Sequence, residues 1–177
     1  EMASYRADLK AGATIDIKAM TEALQEQYEM YWKRKKKDPM SVAKGYNFDM
    51  QFEKKLSVQS QHIDALEHVN NVVYVQWIQE IAGEHWLSHA PDAIKENVIW
   101  VVKKHIIDYK APCHLGEMLT LKTETPKAYK GPLWDRLIWV FKSDGRLAVE
   151  ATTTWCLLDK QSGRPMRITP EIWKVFI

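Results

Sequence analysis

The chain has 177 residues, of which 46% are hydrophobic and 27% charged, with a formal net charge of +2. This composition is typical of a globular protein, and the length allows one domain with a sizeable core plus an appendage. A near-neutral total does not by itself favour nucleic acid, and we expect no nucleic-acid partner. No apolar run approaches the roughly 18 residues of a membrane span, and no signal-peptide pattern opens the chain, so we expect a cytoplasmic protein without a membrane partner.

The sequence carries no pattern typical of a metal site or a bound cofactor. Cys113 and Cys156 are too few and too far apart for a disulfide framework or a metal knuckle, so we expect two reduced, structural thiols. The histidines follow no ligand spacing such as His-Glu-x-x-His, and neither a Gly-x-Ser-x-Gly elbow nor a glycine-rich phosphate loop occurs. We therefore expect no metal and no cofactor.

Residues 1–39 differ from the rest of the chain. Thr14 is suited to cap an amphipathic helix that Asp38-Pro39 ends. Its apolar residues recur at steps of three and four, at Ile17, Met20, Leu24, Tyr28 and Tyr31. The basic run 33–37 is suited to a localisation or phosphate-binding patch. We prefer the alternative that these cations stabilise the negative, C-terminal end of the helix dipole. We expect residues 1–39 to be an N-terminal helical extension or a fused segment, and residues 40–177 to form the main domain.

A strand and a long helix open the main domain. Residues 49–57 alternate between apolar and polar side chains, and Lys54-Lys55 within this run indicates an edge strand or a bulge. The polar turn QHIDALEHVNN at residues 61–71 leads into the helix VVYVQWIQEIAGEHWLSH, which ends at His89. The apolar arc of this helix is too wide for one neighbouring helix to cover. It contains Tyr74, Val75, Trp77, Ile78, Ile81, Ala82 and Trp86.

Four strand-like segments follow the helix. They occupy residues 98–109, 118–129, 133–142 and 146–159. The last three predict an antiparallel meander with a tight turn at Ser143-Asp144-Gly145, and Pro170 opens a short closing helix. We therefore predict an α+β fold in which a five-stranded antiparallel sheet wraps around one long central helix, with an extra N-terminal helix.

The segment Asp64-Ala-Leu-Glu-His68-Val-Asn70-Asn71-Val-Val-Tyr74 resembles the signature of hotdog-fold thioesterases. It is similar both to the bacterial 4-hydroxybenzoyl-CoA thioesterase-like enzymes and to the acyl-carrier-protein (acyl-ACP) thioesterases of plants. Two later segments, IDYKAPCHLGEMLTL at residues 107–121 and ATTTWCLLDKQSGRPMRI at residues 151–168, also resemble that family. The resemblance covers about residues 48–177. It implies a hotdog fold, acyl thioester hydrolysis and a homodimer or higher homo-oligomer, because in this fold the substrate tunnel is normally shared by two subunits.

Four positions depart from the pattern of that family. His62 stands where many bacterial members carry a second aspartate, and Glu67 stands where they commonly have glycine. Leu66 replaces the asparagine of the plant-type motif, and the place of the later acidic partner falls near Pro112. The resemblance therefore carries over the general chemistry but not a plant-type catalytic network.

Thioester hydrolysis needs an activated water or a carboxylate nucleophile, together with a hydrogen-bond donor for the oxyanion. Asp64 suits either of the first two roles, because it lies six or seven residues before a helix whose amide end favours developing negative charge. We expect the backbone N–H groups of Asn71 and its neighbours Asn70 and Val72 to form the oxyanion hole. The alternative for Asp64 is a turn-forming residue bonded to the local backbone.

Other residues of the loop each have two open roles. His68 suits either a group that orients the substrate or donates to its carbonyl, or a buried histidine that fixes the loop. Asn70 and Asn71 favour helix capping, which leaves a purely structural role open. Glu67 either approaches Asp64, which would raise one carboxyl pKa, or points into solvent.

Three aromatic residues, Tyr74, Trp77 and Trp134, are candidates for an acyl pocket, with the plain core as the alternative. The predicted function is hydrolysis of an acyl-CoA thioester to free acid and CoA, within fatty acid metabolism. Hydrolysis of an acyl-ACP thioester is the second interpretation. The third is a non-catalytic acyl-binding or scaffold protein in which the helix of residues 1–39 is the working element.

Overall fold

The computed structural model of the chain describes residues 52–176. The predicted N-terminal helix and its boundary at residue 39 lie outside these residues, as does the beginning of the first predicted strand. Between residues 52 and 176, no helix combines the length and the hydropathy needed to cross a bilayer.

Five strands form one antiparallel sheet. They are β1 (Phe52–Ser57), β2 (Val98–Tyr109), β3 (Met118–Glu124), β4 (Leu133–Lys142) and β5 (Leu147–Asp159). Their order in the sheet is β1-β3-β4-β5-β2, so β3, β4 and β5 form the predicted meander. β1 lies at one edge of the sheet, as its two lysines indicated. Every neighbouring pair of strands is antiparallel, which confirms the predicted sheet.

Two details of the strands differ from the predicted pattern. β3 ends at Glu124 rather than near residue 129, because Pro126 follows closely and has no backbone N–H to donate to a neighbouring strand. The register shifts between Val102 and Lys104 where β2 pairs with β5, and between Val140 and Phe141 where β4 pairs with β5. β1 pairs with β3 without a shift, so these irregularities lie away from the lysine pair.

The long helix α1 (Asn71–His89) begins at the predicted junction. The Asn70 side chain caps it by accepting a hydrogen bond from the Val72 N–H at 2.9 Å, which satisfies one amide of the first turn. One face of α1 is buried, by Tyr74, Trp77, Ile78, Ile81, Ala82 and His85. Val72 on another side is 73% exposed, so the sheet of this chain covers one side of the helix.

Two groups of buried side chains lie along α1. The first half of the helix packs on the centre of the sheet, where Ile78 and Ile81 meet Leu121, Ile138 and Val140. Two short helices, α2 (Asp92–Lys95) and α3 (Pro170–Trp173), flank the second half, and α3 begins at the predicted proline. A final turn, Lys174–Phe176, completes the second group around Trp134 and Leu157.

A buried arginine and a buried histidine lie between α1 and the sheet. Arg136 on β4 is 4% exposed, and His85 on α1 is fully buried. Arg136 Nη1 donates to His85 Nδ1 at 2.8 Å and to Thr123 Oγ1 at 3.2 Å. The guanidinium also lies over the Phe176 ring, 4.7 Å from its centroid. Because a guanidinium only donates, His85 accepts through Nδ1 and carries its proton on Nε2.

Burial, reinforced by the neighbouring Arg136 charge, lowers the pKa of His85 to about 3. His85 is therefore neutral in the folded protein at physiological pH, whereas in the unfolded chain its pKa returns to about 6.5. As the pH falls below that value, the unfolded chain takes up a proton that the folded protein does not bind. The free energy of unfolding therefore falls on acidification.

We expect His85→Asn, which keeps an acceptor for Arg136 but cannot titrate, to reduce this acid sensitivity. Between about pH 6 and pH 4, the free energy of unfolding of the wild type should fall more steeply than that of the variant. The difference is up to about 1.4 kcal/mol per pH unit, the value for one proton. Urea unfolding at several pH values measures both slopes, and parallel slopes would contradict a neutral buried His85.

Candidate active site

The loop before α1 forms a small hairpin. Ile63 and Val69 pair as an isolated antiparallel bridge. The Asp64 N–H donates to the His68 carbonyl at 2.9 Å, and the Glu67 N–H donates to the Asp64 carbonyl at 3.1 Å. The Asp64–Glu67 turn therefore closes the hairpin, and Asp64 and His68 face each other across it.

The base of the hairpin is tied to the start of α1. The Asn70 N–H donates to the His62 carbonyl at 2.9 Å, and the His62 ring packs edge-on against Trp77 of the helix with 5.1 Å between ring centroids. Asp64 lies two residues beyond His62, which corresponds to about 7 Å of extended chain. The Asp64 turn and the first turn of α1 are therefore neighbouring parts of one short hydrogen-bonded unit.

The half-buried Asp64 side chain makes the hydrogen bond expected of a turn-forming residue. Its Oδ1 accepts from the Leu66 N–H at 2.8 Å. Within residues 52–176, Oδ2 takes part in no hydrogen bond or ion pair. The two predicted roles of Asp64 are therefore compatible, because one oxygen fixes the orientation of the carboxylate and the other is left for chemistry.

The first backbone N–H groups of α1 differ in whether they have a hydrogen-bond acceptor. The Asn70 side chain accepts from the Val72 N–H, and the Asn70 carbonyl accepts from the Val73 N–H at 2.9 Å. The Asn71 N–H has no acceptor in the part of the chain that the structure describes. Of the amides predicted for the oxyanion hole, Asn71 is thus available, whereas Asn70 donates to the His62 carbonyl and Val72 is engaged by the helix cap.

His68 lies between the hairpin and the segment that follows β2. Its ring packs edge-on against the His114 ring with 4.9 Å between centroids. The Val69 N–H next to it donates to the Cys113 carbonyl at 2.9 Å, which attaches the hairpin to that segment. Burial, and next the His114 ring, lower the pKa of His68 although Asp64 acts in the opposite direction. His68 is therefore a neutral imidazole near neutral pH.

Glu67 turns the hairpin with a left-handed backbone, φ 59°. Glycine adopts this conformation without a steric penalty, whereas a side chain costs about 1–2 kcal/mol. The Glu67 side chain is exposed, and its carbonyl accepts a hydrogen bond from His114 Nδ1 at 3.2 Å. The glycine that is common at this position in the resembling enzymes therefore has a conformational reason.

The predicted aromatic candidates separate into two environments. Tyr74 and Trp77 are each 3% exposed and belong to the first group of buried side chains, with 5.4 Å between their ring centroids. Burial raises the pKa of the Tyr74 hydroxyl, so this group is neutral. Trp134 instead lines a cavity at the second half of α1. Tyr74 and Trp77 thus support the helix start from within the core.

The cavity between the second half of α1, the sheet and the final turn has a volume of about 300 Å³. Its walls include Trp86, Trp100, Trp134, Trp155, Arg136 and Phe176. Sequence reasoning missed Arg136, although the alternation of β4 contained the signal. Arg136 shares the phase of Trp134 and Ile138, which places a charged residue on the buried face of the strand.

Between Phe52 and Phe176, the side chains of His, Cys, Asp and Glu form no group of three that could hold a metal ion. Cys113 and Cys156 are both free thiols, and Cys113 is fully buried. Burial raises the pKa of the Cys113 thiol, which keeps it protonated and unreactive.

Replacing Glu67 by glycine tests the strain in the hairpin. We expect Glu67→Gly to raise the free energy of unfolding by up to about 1 kcal/mol, because the lost left-handed penalty exceeds the added flexibility of the unfolded chain. Chemical denaturation of both proteins measures the change. The control Glu96→Gly, at the end of α2 with right-handed φ −70°, should destabilise. Equal destabilisation by both substitutions would contradict a strained Glu67.

Comparisons with known proteins find similarity to thioesterases. A family model described as the acyl-ACP thioesterase N-terminal domain matches residues 49–176. The long-chain acyl-CoA thioesterase FadM of Escherichia coli strain K12 is 21% identical over 126 residues, which is 66% of this chain and 90% of FadM.

Two solved structures show the same architecture. A putative oleoyl thioesterase from Lactobacillus plantarum has a TM-score of 0.67 at 17% identity, covering 75% of this chain and 52% of that protein. The 1,4-dihydroxy-2-naphthoyl-CoA thioesterase Slr0204 from Synechocystis has a TM-score of 0.62 at 14% identity, covering 72% of this chain and 96% of that protein. These likenesses confirm the predicted hotdog fold.

Proposed function

The chain belongs to the acyl-ACP thioesterase family of thioester hydrolases, and we propose that it hydrolyses an acyl-CoA to the free acid and CoA with Asp64 as the reacting carboxylate. The observation that carries this proposal is the hydrogen-bonded unit of the hairpin and the start of α1. It holds one free carboxylate oxygen, Oδ2 of Asp64, and one free amide, the Asn71 N–H, at neighbouring points of the chain.

As a general base, Asp64 takes a proton from a water molecule while the water oxygen attacks the thioester carbon. The carbonyl electrons move to the oxygen, the C–S bond then breaks, and the leaving thiolate receives the proton from Asp64. As a nucleophile, the carboxylate forms a mixed anhydride and releases the thiolate, and water hydrolyses the anhydride in a second step. Both courses yield the free acid and the CoA thiol.

The oxyanion that forms in either course needs a donor that is already in position. The free Asn71 N–H and the positive end of the α1 dipole suit this role, because they need no rearrangement during the reaction. Neutral His68 supplies a second donor or orients the carbonyl. Asn70 acts on the site indirectly, since its cap fixes where α1 begins.

The carrier of the acyl group has two candidates. FadM, named as a long-chain acyl-CoA thioesterase, favours CoA, whereas the name of the matching family model favours the acyl carrier protein.

We also propose that the enzyme acts as a homodimer in the cytoplasm. The exposed side of α1, where Val72 is 73% and Leu87 62% exposed, offers apolar surface for a second subunit.

Replacing Asp64 by asparagine tests the mechanism. Asp64→Asn keeps an oxygen for the Leu66 N–H but removes the charge, so we expect an unchanged free energy of unfolding and a kcat lowered by about 10²–10⁴-fold. Thiol release from matched acyl-CoA and acyl-ACP substrates measures the loss, and the ratio of their kcat/KM values identifies the carrier.

Asp144 offers a matched control for this substitution. Its Oδ1 accepts from the Arg146 N–H at 3.0 Å, two residues on, as Asp64 does with Leu66. Asp144→Asn should therefore disturb a similar turn and keep the wild-type kcat. Near-normal hydrolysis by Asp64→Asn, or an equal loss in both variants, would remove Asp64 from the reaction.

A further inference from the structure

We propose that the cavity at the second half of α1 binds an apolar molecule that ends in a carboxylate, and that Arg136 is the residue that binds the carboxylate. The proposal rests on three features of this cavity. Its walls are aromatic, its buried polar groups are nearly all donors, and its cation has no carboxylate partner within residues 52–176.

Four aromatic rings of the cavity wall lie in contact with one another. The Trp100 ring lies 5.9 Å from Trp86 and 6.3 Å from Trp134, and Phe176 lies 5.7 Å from Trp86 and 5.4 Å from Trp134, between ring centroids. Flat aromatic surfaces of this kind bind an alkyl chain or another ring by burying its apolar area. The volume of about 300 Å³ is at the lower end of the range for small-molecule sites.

Several donors that line the cavity have no acceptor. The indole Nε1 atoms of Trp100 and Trp155 and the hydroxyl of Thr125 are buried without a hydrogen-bond partner among the described residues. An indole N–H only donates. Leaving a buried donor unsatisfied is costly, so several of them around one cavity indicate that an acceptor from another molecule fills it.

Because Arg136 is positively charged, it favours an anionic acceptor on the ligand over a neutral one. Its Nη1 contacts are to neutral groups, His85 Nδ1 and Thr123 Oγ1. Asp135 also borders the cavity, but its carboxylate is exposed and accepts from the Thr154 hydroxyl at 2.6 Å, and it forms no ion pair with Arg136. Burial alone lowers the pKa of Arg136 to about 9, which still leaves the guanidinium charged at neutral pH. A carboxylate is the acceptor that best compensates a buried guanidinium.

The cavity lies apart from the proposed reaction site. Its helical wall runs from Ala82 to Leu87, which places it roughly 16–24 Å from Asn71 at 1.5 Å per helical residue. The carboxylate therefore has two possible sources. It belongs either to a free acid that binds here alone, or to the far end of an acyl group whose thioester reaches the start of α1.

Binding of decanoate compared with decanol tests the proposal directly. Both probes have the same alkyl chain, and titration calorimetry together with the fluorescence of the cavity tryptophans measures their affinities. We expect decanoate to bind about 10- to 100-fold more tightly, the ratio for a hydrogen bond to a charged group. Equal affinities, or no binding of either probe, would overturn the proposal.

Three variants identify the groups responsible. Arg136→Met keeps an unbranched apolar stem and removes the unpaired charge, and it should abolish the preference for decanoate. Trp155→Phe keeps a ring but removes one donor, and it should weaken decanoate binding several-fold. This variant tests the cavity even if Arg136→Met does not fold. The control Arg164→Met alters an exposed arginine and should bind like the wild type. Asp64→Asn should also bind like the wild type, since the cavity is separate. An unchanged preference in both cavity variants would overturn the proposal.

Kinetics then distinguish the two sources, and this arm alone rests on the proposed hydrolysis. An extended chain advances by about 1.3 Å per carbon for bonds of about 1.5 Å, so a hexadecanedioyl group matches the distance to Asn71. If the carboxylate belongs to the acyl group, hexadecanedioyl-CoA has a higher kcat/KM than hexadecanoyl-CoA, and Arg136→Met reverses the order. If it belongs to a free acid, Arg136→Met leaves the ratio unchanged while decanoate binding is lost.

Discussion

The anchoring of the start of α1 determines where the proposed chemistry takes place. Burying the six side chains of its inner face contributes roughly 1.5–3 kcal/mol for each large apolar residue, whereas the Asn70 cap contributes about 1 kcal/mol. Packing on the sheet therefore holds the helix, and the cap decides which amide comes first. The hydrogen bonds from Asn70 to His62 and from Val69 to Cys113 then fix the hairpin to that end. Backbone hydrogen bonds thus join the turn that carries the Asp64 carboxylate to the end of α1 that carries the free Asn71 N–H.

Much of the fold follows from local periodicity. Alternation of period two predicted the meander, with β4 at Leu133–Lys142 as expected, and the wide apolar arc predicted a helix packed on a sheet. The order of β3, β4 and β5 also followed, because hairpin turns join consecutive strands. The places of β1 beside β3 and of β2 beside β5 did not follow from local pattern. The predicted end of β3 was wrong, because the alternation of side chains continues past Glu124 whereas Pro126 ends the pairing with the neighbouring strand. Periodicity reports which side chains are buried, whereas the pairing of strands depends on backbone N–H groups, which proline lacks.

The candidate site was only partly predictable. Local turn and capping chemistry was enough to predict the Asp64 turn and the Asn70 cap, because both lie in one short segment. The contact between His85 and Arg136 joins residues 51 positions apart, and only the packing of α1 on β4 reveals it. The left-handed Glu67 was hidden because its residue type gives no sign of that conformation. The first feature depends on a contact between residues distant in sequence, and the second on a backbone conformation, and neither can be read from a local sequence pattern.

The central claim is that the acyl carbonyl lies between the Asp64 carboxylate and the first amide of α1. A crystal structure of the Asp64→Asn protein with a bound acyl-CoA measures this position directly. We expect the carbonyl oxygen at about 3 Å from the Asn71 N atom, with the side chain of residue 64 facing the carbonyl carbon. A thioester bound with its carbonyl away from the start of α1 would contradict it.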